Sequence, residues 1–277
     1  MFSFWESSHS QMLFSHEEVV ASNPKDRDAG LTPEEIRRIK EYHVQYLTQL
    51  GRSAKVRQRV VATAVVYFRR FYLRNSFVEY DPRLTAPACL YLASKVEEST
   101  VHARHVAQAI RRCRKETLFW FEVKDLLETE MVLLEDMAFS LAIFHPYRPL
   151  SQLLEDAGFS EFLRDAWSLV NDSYSSEVIL VHFPHVIAVA AVHLTGVMQG
   201  KKAEAEAWLE TLRIDRAAVT LVTEALLAVC HSDTERMSTV ECIQLLEQVH
   251  AGSAHSRRRQ PSQPPPTDEQ GTEGGGG

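Results

Sequence analysis

The sequence predicts an all-α protein of two tandem helical lobes, preceded by a short helical extension and followed by a disordered tail. Three observations predict it. Apolar residues recur at helical spacing along most of the chain, the strict alternation of half-buried strands is largely missing, and glycine is scarce before the C-terminal segment. With 277 residues, 45% hydrophobic and 24% charged, the chain has room for two cores of ordinary size.

Residues 1–30 are assigned to an N-terminal helical extension, 31–147 to a first lobe, 148–250 to a second, and 251–277 to the tail. The first well-delimited helix opens at Thr32-Pro33-Glu34-Glu35, where a cap residue, a proline at the first helical position and a carboxylate three residues after the cap agree. Ile36, Ile39, His43, Leu47 and Leu50 then share one face. From Val56 to about Leu73 apolar residues surround the helix, which predicts the hub of the first lobe. Asp81-Pro82 opens a helix running to about Val96, and Asp125 lies early in another whose stripe is Val123, Leu127, Glu130, Leu134, Met137 and Leu141. Two prolines three apart in His145-Pro-Tyr-Arg-Pro149 end that lobe.

The second lobe is read as helices near 149–157, 160–174, 184–199, 203–211 and 215–231, bounded by Gly158, Pro184 and Gly200. Its layout repeats the first. A slide of 102 residues matches Ala64, Tyr72, Pro82, Ala86, Ala88 and Leu92 with Ala166, Tyr174, Pro184, Ala188, Ala190 and Leu194 without a gap. This is read as a diverged tandem repeat. After about residue 250, serine, arginine, glutamine, proline and glycine leave too few apolar side chains to offset ordering entropy. Arg257-Arg-Arg259 is either a nuclear-import element or a solvated patch.

The net charge of −7 disfavours non-specific nucleic-acid binding. Cys89, Cys113, Cys230 and Cys242 form no close pair of the kind a zinc site or redox motif needs. Apolar runs such as Val186 to Leu194 stop well short of a bilayer span, so a cytoplasmic or nuclear protein without a membrane partner is expected. There is no Gly-rich phosphate loop, Gly-x-Ser-x-Gly elbow or His-Glu-x-x-His pair, so neither catalysis nor a small-molecule substrate or cofactor is expected. His102 with His105, and His182 with His185, lack a nearby residue to complete a metal site.

Lys95 and Glu130 stand out because they fall on apolar stripes. Lys95 continues the row Leu84, Ala88, Tyr91/Leu92 into the last turn of its helix, where the dipole alone would favour a cation. An unpaired carboxylate at Glu130 would cost several kcal/mol if buried. It is solvated at the lobe border, paired with Lys95 or another base of the chain, or held for a partner protein. Trp5, Trp167, Asp172 and Tyr174 form either a second partner surface or packing between the lobes.

The segment Leu90-Tyr-Leu-Ala-Ser-Lys-Val-Glu-Glu98 resembles the cyclin box, and Glu130 falls where that box carries its paired glutamate. Four further stretches resemble the C-type branch of the cyclins: Phe4-Trp-Glu-Ser-Ser-His9, Ala62 to Tyr72, His145 to Leu150 and Ala166 to Tyr174. The resemblance implies two five-helix cyclin boxes with Lys95, Val96, Glu98, Glu130, Leu134 and Phe139 facing a kinase. It also implies a nuclear, non-enzymatic subunit that activates the cyclin-dependent kinase of the Mediator kinase module and meets other Mediator subunits, without binding nucleic acid directly. Two alternatives of other classes are a cyclin-fold DNA-binding general transcription factor, whose basic surface and zinc ribbon are missing here, and a helical adaptor without a kinase.

The chain also departs from the family pattern. Cell-cycle cyclins carry an aspartate where Arg69 stands, paired with the arginine matched by Arg57, so Arg57 needs another carboxylate and Asp81 is the candidate. Arg59 and Thr63 replace an apolar residue and a tryptophan of the family's substrate-docking patch, so docking through that patch is not implied.

Overall fold

A computed structural model describes residues 4–113, 121–231 and 237–259, among which every regular element is helical. Two 3-10 turns (Phe4–Glu6 and Ser8–Gln11) precede α1 (His16–Val20) and α2 (Pro24–Asp28). The first lobe holds α3 (Pro33–Ala54), α4 (Gln58–Arg74), α5 (Pro82–Val96), α6 (Ala103–Cys113) and α7 (Val123–Asp136). The second holds α8 (Tyr147–Asp156), α9 (Leu163–Ser173), α10 (Val178–Val181), α11 (Pro184–Met198), α12 (Lys202–Thr211) and α13 (Arg216–His231). A last helix, α14, covers Thr239–Arg259. No described helix is long and apolar enough to cross a membrane.

Local chemistry sets several starts. Thr32 caps α3 by accepting from the Glu35 N–H, while the Glu35 carboxylate accepts from the Thr32 N–H at 2.8 Å. Proline opens both α5 and α11, and the two helices are each 15 residues long and start 102 residues apart, matching the repeat seen in the sequence. Gly158 and Gly200 end α8 and α11 with φ of +72° and +77°.

Burial corrects three expectations. The helices that touch all their lobe-mates are the repeated pair: α5 against α3, α4, α6 and α7, and α11 against α8, α9, α12 and α13. Fully buried Ala86, Ala88, Ala188, Ala190 and Ala191 let the neighbours close in around them. The second helix of the lobe, α4, is buried on every residue from Val60 to Tyr72 for another reason: it packs on its own lobe and also on α10 of the second. Arg69 there donates to the carbonyls of Tyr174 (3.2 Å) and Ser175 (2.7 Å), tying the lobes together.

The core stripe of α7 is Leu126, Glu130 and Leu133, continued by Met137 at the C-cap, whereas Leu127 is exposed, Leu134 is half-buried, and Leu141 lies well beyond the helix end. Finally, α14 continues to Arg259, past the boundary expected at residue 250; the rest of the expected tail, 260–277, lies outside the described residues. This helix returns to the first lobe. Cys242, Leu246 and Val249 are buried, Arg38 pairs with Glu241 at 2.7 Å, and the Tyr42 hydroxyl donates to Thr239 at 3.1 Å.

Candidate protein-interaction site

The ends of α5 and α7 build a small charged and apolar face. Lys95, in the last turn of α5, donates to both oxygens of Glu130 at 2.7 and 2.8 Å, and its ammonium sits 4.2 Å from the centre of the Tyr91 ring. Burial works against the Lys95 charge, yet hydrogen bonds to Glu130 and Tyr91 outweigh it and hold the ammonium above the usual lysine range. Of the alternatives left open by the sequence, pairing within the chain is the one found. The pair is asymmetric, since Lys95 exposes 39% of its side chain and Glu130 only 7%. A lysine head therefore remains at the surface beside a carboxylate that is shielded.

Both helices end without glycine, in left-handed backbone. Glu98 has φ of +51°, and after α7 the consecutive residues Ala138 and Phe139 have +47° and +58°. Each such residue costs on the order of 1 kcal/mol, so two in a row mark a backbone held by its surroundings. Hydrogen bonds from the Phe139 and Ser140 N–H groups to Leu134 and Met137 carbonyls (3.0 and 2.9 Å) supply that hold. The result is a Phe139 ring 67% exposed, in line with exposed Leu127 and Met131 and half-buried Leu134, while Val96 is half-buried and Glu98 exposed. Sequence periodicity placed Leu127 in the core and passed over Met131. Spacing was the available signal, because Met131 stands four residues after Leu127 and three before Leu134 and so shares their face.

The four residues of the suggested second surface do not form one pocket. Tyr174 is buried, with its hydroxyl hydrogen-bonded to His145 Nδ1 at 2.7 Å. Trp167 stacks on Tyr147 with ring centres 4.6 Å apart and stays partly exposed, and Asp172 is half-buried, its carboxyl pushed up by burial. Trp5 is exposed and leans on Phe183 and His185. It lines a groove of about 1200 Å³ together with Val96, Glu97, His145, Arg148 and His185, most of which the sequence did not single out.

A polar chain underlies this groove. Arg59 pairs with Glu97 at 2.6 Å, Thr63 donates to Glu97 at 2.6 Å, and Thr63 Oγ1 lies 2.8 Å from His145 Nε2. Burial lowers the His145 pKa, so the ring is neutral near pH 7. With its one hydrogen given to Glu97, Thr63 accepts from His145 Nε2–H, and His145 Nδ1 accepts from Tyr174. Burial raises the Glu97 pKa, but His145, Thr63 and Arg59 together hold it below the usual range. Arg59 and Thr63 are thus committed to Glu97.

One expected pair is absent. The carboxylate of Asp81 is held by Arg83 and His250, the latter at 3.3 Å, and Arg57 is exposed without an ion pair to any described residue. Of the histidine pairs, His105 bonds the Ala54 carbonyl at 3.2 Å and His185 stacks on Phe183. Among the described residues no three His, Cys, Asp or Glu side chains cluster as a metal would require.

Comparison with known proteins agrees with these features. The model of the cyclin N-terminal domain matches residues 9–142. Cyclin-C1-1 of Oryza sativa subsp. japonica is 48% identical over 213 residues, covering 76% of this chain and 82% of the relative. A chain in the solved CAK complex of Chaetomium thermophilum bound to ATP-gamma-S superposes with a TM-score of 0.72 at 16% identity, over 97% of this chain and 98% of that one. A chain in the yeast RNA Pol II CTD kinase CTDK-1 complex does so with a TM-score of 0.66 at 16% identity, over 92% and 86%. At these identities the two structures speak to the fold alone.

Proposed function

The chain belongs to the cyclin family, in its C-type branch, and from that premise we propose that it is the regulatory subunit of a transcription-related cyclin-dependent kinase. In the finer reading the kinase is that of the Mediator kinase module, the complex meets other Mediator subunits, and it works in the nucleus on transcription by RNA polymerase II. The observation that carries the proposal is the Lys95–Glu130 pair, set among Val96, Glu98, Leu134 and Phe139 on two rigid helix ends. Likeness in fold to chains of kinase assemblies, one of them an RNA Pol II CTD kinase, supports a kinase as the partner.

Kinases need an internal Lys–Glu ion pair and an ordered activation loop, both set by the position of one helix in the small lobe. A rigid apolar face with a fixed cation and a shielded carboxylate binds one position of that helix better than the other. A difference of about 4 kcal/mol shifts the active population roughly a thousandfold. The cyclin transfers no phosphate itself. Measuring phosphorylation by the candidate kinase with and without the purified chain tests the reading: activation that Lys95→Glu removes supports it, and a kinase equally active alone refutes it. The groove running from Trp5 to Val96 is proposed as the contact for a further subunit, with Trp5→Ala expected to weaken its co-purification while kinase binding persists.

A further inference from the structure

The longest run of this acidic chain without an Asp or Glu is residues 42–78, and residues 99–115 also lack one. The fold brings parts of them together, because α6 lies along the C-terminal half of α3. Ser53 donates to the Ala109 carbonyl at 3.3 Å, His105 Nε2 bonds the Ala54 carbonyl, and Cys113 Sγ is 3.7 Å from the Gln49 carbonyl. Around this seam Arg52, Lys55, Arg57, Arg104 and Arg112 are all exposed. None forms an ion pair with a described residue, whereas exposed Arg37, Lys25, Lys124 and Arg216 each have an acidic partner.

Helix dipoles account for only part of the cluster. Arg52, Lys55 and Arg112 sit at the C-terminal ends of α3 and α6, where a cation is favoured. Arg57 caps the start of α4 and Arg104 lies in the first turn of α6, where the dipole opposes a cation. Among the described residues these two cations are left to solvent, so their forks stand open to an outside carboxylate.

We propose that the α3–α6 seam is a docking face for a carboxylate-rich segment of a protein partner. Four of the five cations are guanidinium groups, whose planar forks match carboxylates in bidentate fashion. A nucleic acid fits less well, since none of the exposed large aromatic residues lies on α3 or α6 for bases to stack on. The inference rests on this chain's own charges and holds whichever kinase the other face binds.

The test uses the full chain and a fluorescein-labelled poly-glutamate peptide, read by anisotropy at low salt and at about 0.15 M. Binding that weakens with salt is expected. The pair Arg52→Glu with Arg112→Glu should reduce it at least tenfold, while Arg164→Glu with Arg213→Glu, an equal charge change on the second lobe, should reduce it less than about twofold. If the seam reversals fail to fold by circular dichroism, the pair Arg52→Gln with Arg112→Gln replaces them, with a several-fold loss expected. No detectable binding, equal losses from both lobes, or tighter binding of single-stranded RNA of the same charge overturns the proposal.

Discussion

Exchanging the charges of Lys95 and Glu130 separates a kinase contact from a purely internal strut. Alone, Lys95→Glu leaves two carboxylates facing each other, one of them 7% exposed. Removing the partner of a buried charge costs about 3–5 kcal/mol; because Lys95 is more than a third exposed, solvent screening brings the expected loss nearer 1–2 kcal/mol. The doubly exchanged chain, Lys95→Glu with Glu130→Lys, restores an ion pair, so chemical denaturation should recover most of that loss. Kinase association should not recover. Its surface would now present a carboxylate where the cation stood, and reversing a desolvated interfacial charge costs at least about 2–3 kcal/mol, or 30- to 150-fold in Kd. Titration calorimetry of both singles and the double against the purified kinase checks this. A doubly exchanged chain that binds within about threefold of the original would refute the interface and leave the pair as a tie between α5 and α7.

Other consequences follow from the same geometry. Arg69→Leu removes two charged hydrogen bonds and leaves the Tyr174 and Ser175 carbonyls without that donor, so urea denaturation should show a loss of about 3 kcal/mol. Gly196→Ala would place a methyl 2.6 Å from the Phe159 ring and 2.9 Å from Ala205 Cβ, and a loss of about 1–3 kcal/mol is expected from overpacking. Burial lowers the His9 pKa from 6.5 to about 3, so the native state binds fewer protons than the unfolded chain in that window; stability contributed by the neutral ring is full above pH 6.5 and falls with acid. Asp26, raised by burial from 3.8 to about 6, acts in the opposite sense: the native state binds the extra proton between those values. Asp26→Asn should therefore steepen the acid loss of stability between pH 6 and 3.8 by about 1.4 kcal/mol per pH unit, measured by denaturation across pH, and an unchanged slope would count against the Asp26 assignment.

What could be read from the sequence was chemistry that acts within a few residues. The Thr32 capping box, the prolines opening α5 and α11, and the glycines closing α8 and α11 have local causes, and the structure places helix ends there. What escaped depends on contacts distant in sequence. Adjacent leucines at 126/127 and 133/134 allow two phases of α7, and the choice is made by Glu130 turning inward to meet Lys95 on another helix. All-round burial of α4 reflects a second lobe that periodicity cannot see. The docked helix α14 has a sparse apolar face, Cys242, Leu246 and Val249, that is meaningful only against the first lobe. Arg57 and Asp81 were matched by charge alone, while Arg83, two residues from Asp81, was nearer to hand. Of the candidate site, the charged pair was visible because it breaks a stripe; the exposure of Phe139 was not, because it follows from left-handed backbone at residues without a glycine.

The inter-lobe contacts bear on the function proposed for the distant helix ends. A surface that favours one kinase conformation can shift the kinase only as far as the surface itself resists deformation, since a compliant face would fit both states and bind neither selectively. Here α5, which presents Lys95 and Val96, packs against α4, and α4 is fixed to the second lobe by Arg69 and by its contact with α10. Glu97, two residues from Lys95, is locked through Thr63 to His145 and from there to Tyr174 of the second lobe. The arginine at position 69 and the threonine at position 63, which set this chain apart from the cell-cycle pattern, are therefore the residues that join the binding face to the other lobe. Loosening that joint with Thr63→Val, which keeps the shape but removes the hydrogen bonds, should lower kinase activation more than kinase affinity. An equal loss in both would mean that the second lobe contributes only folding stability.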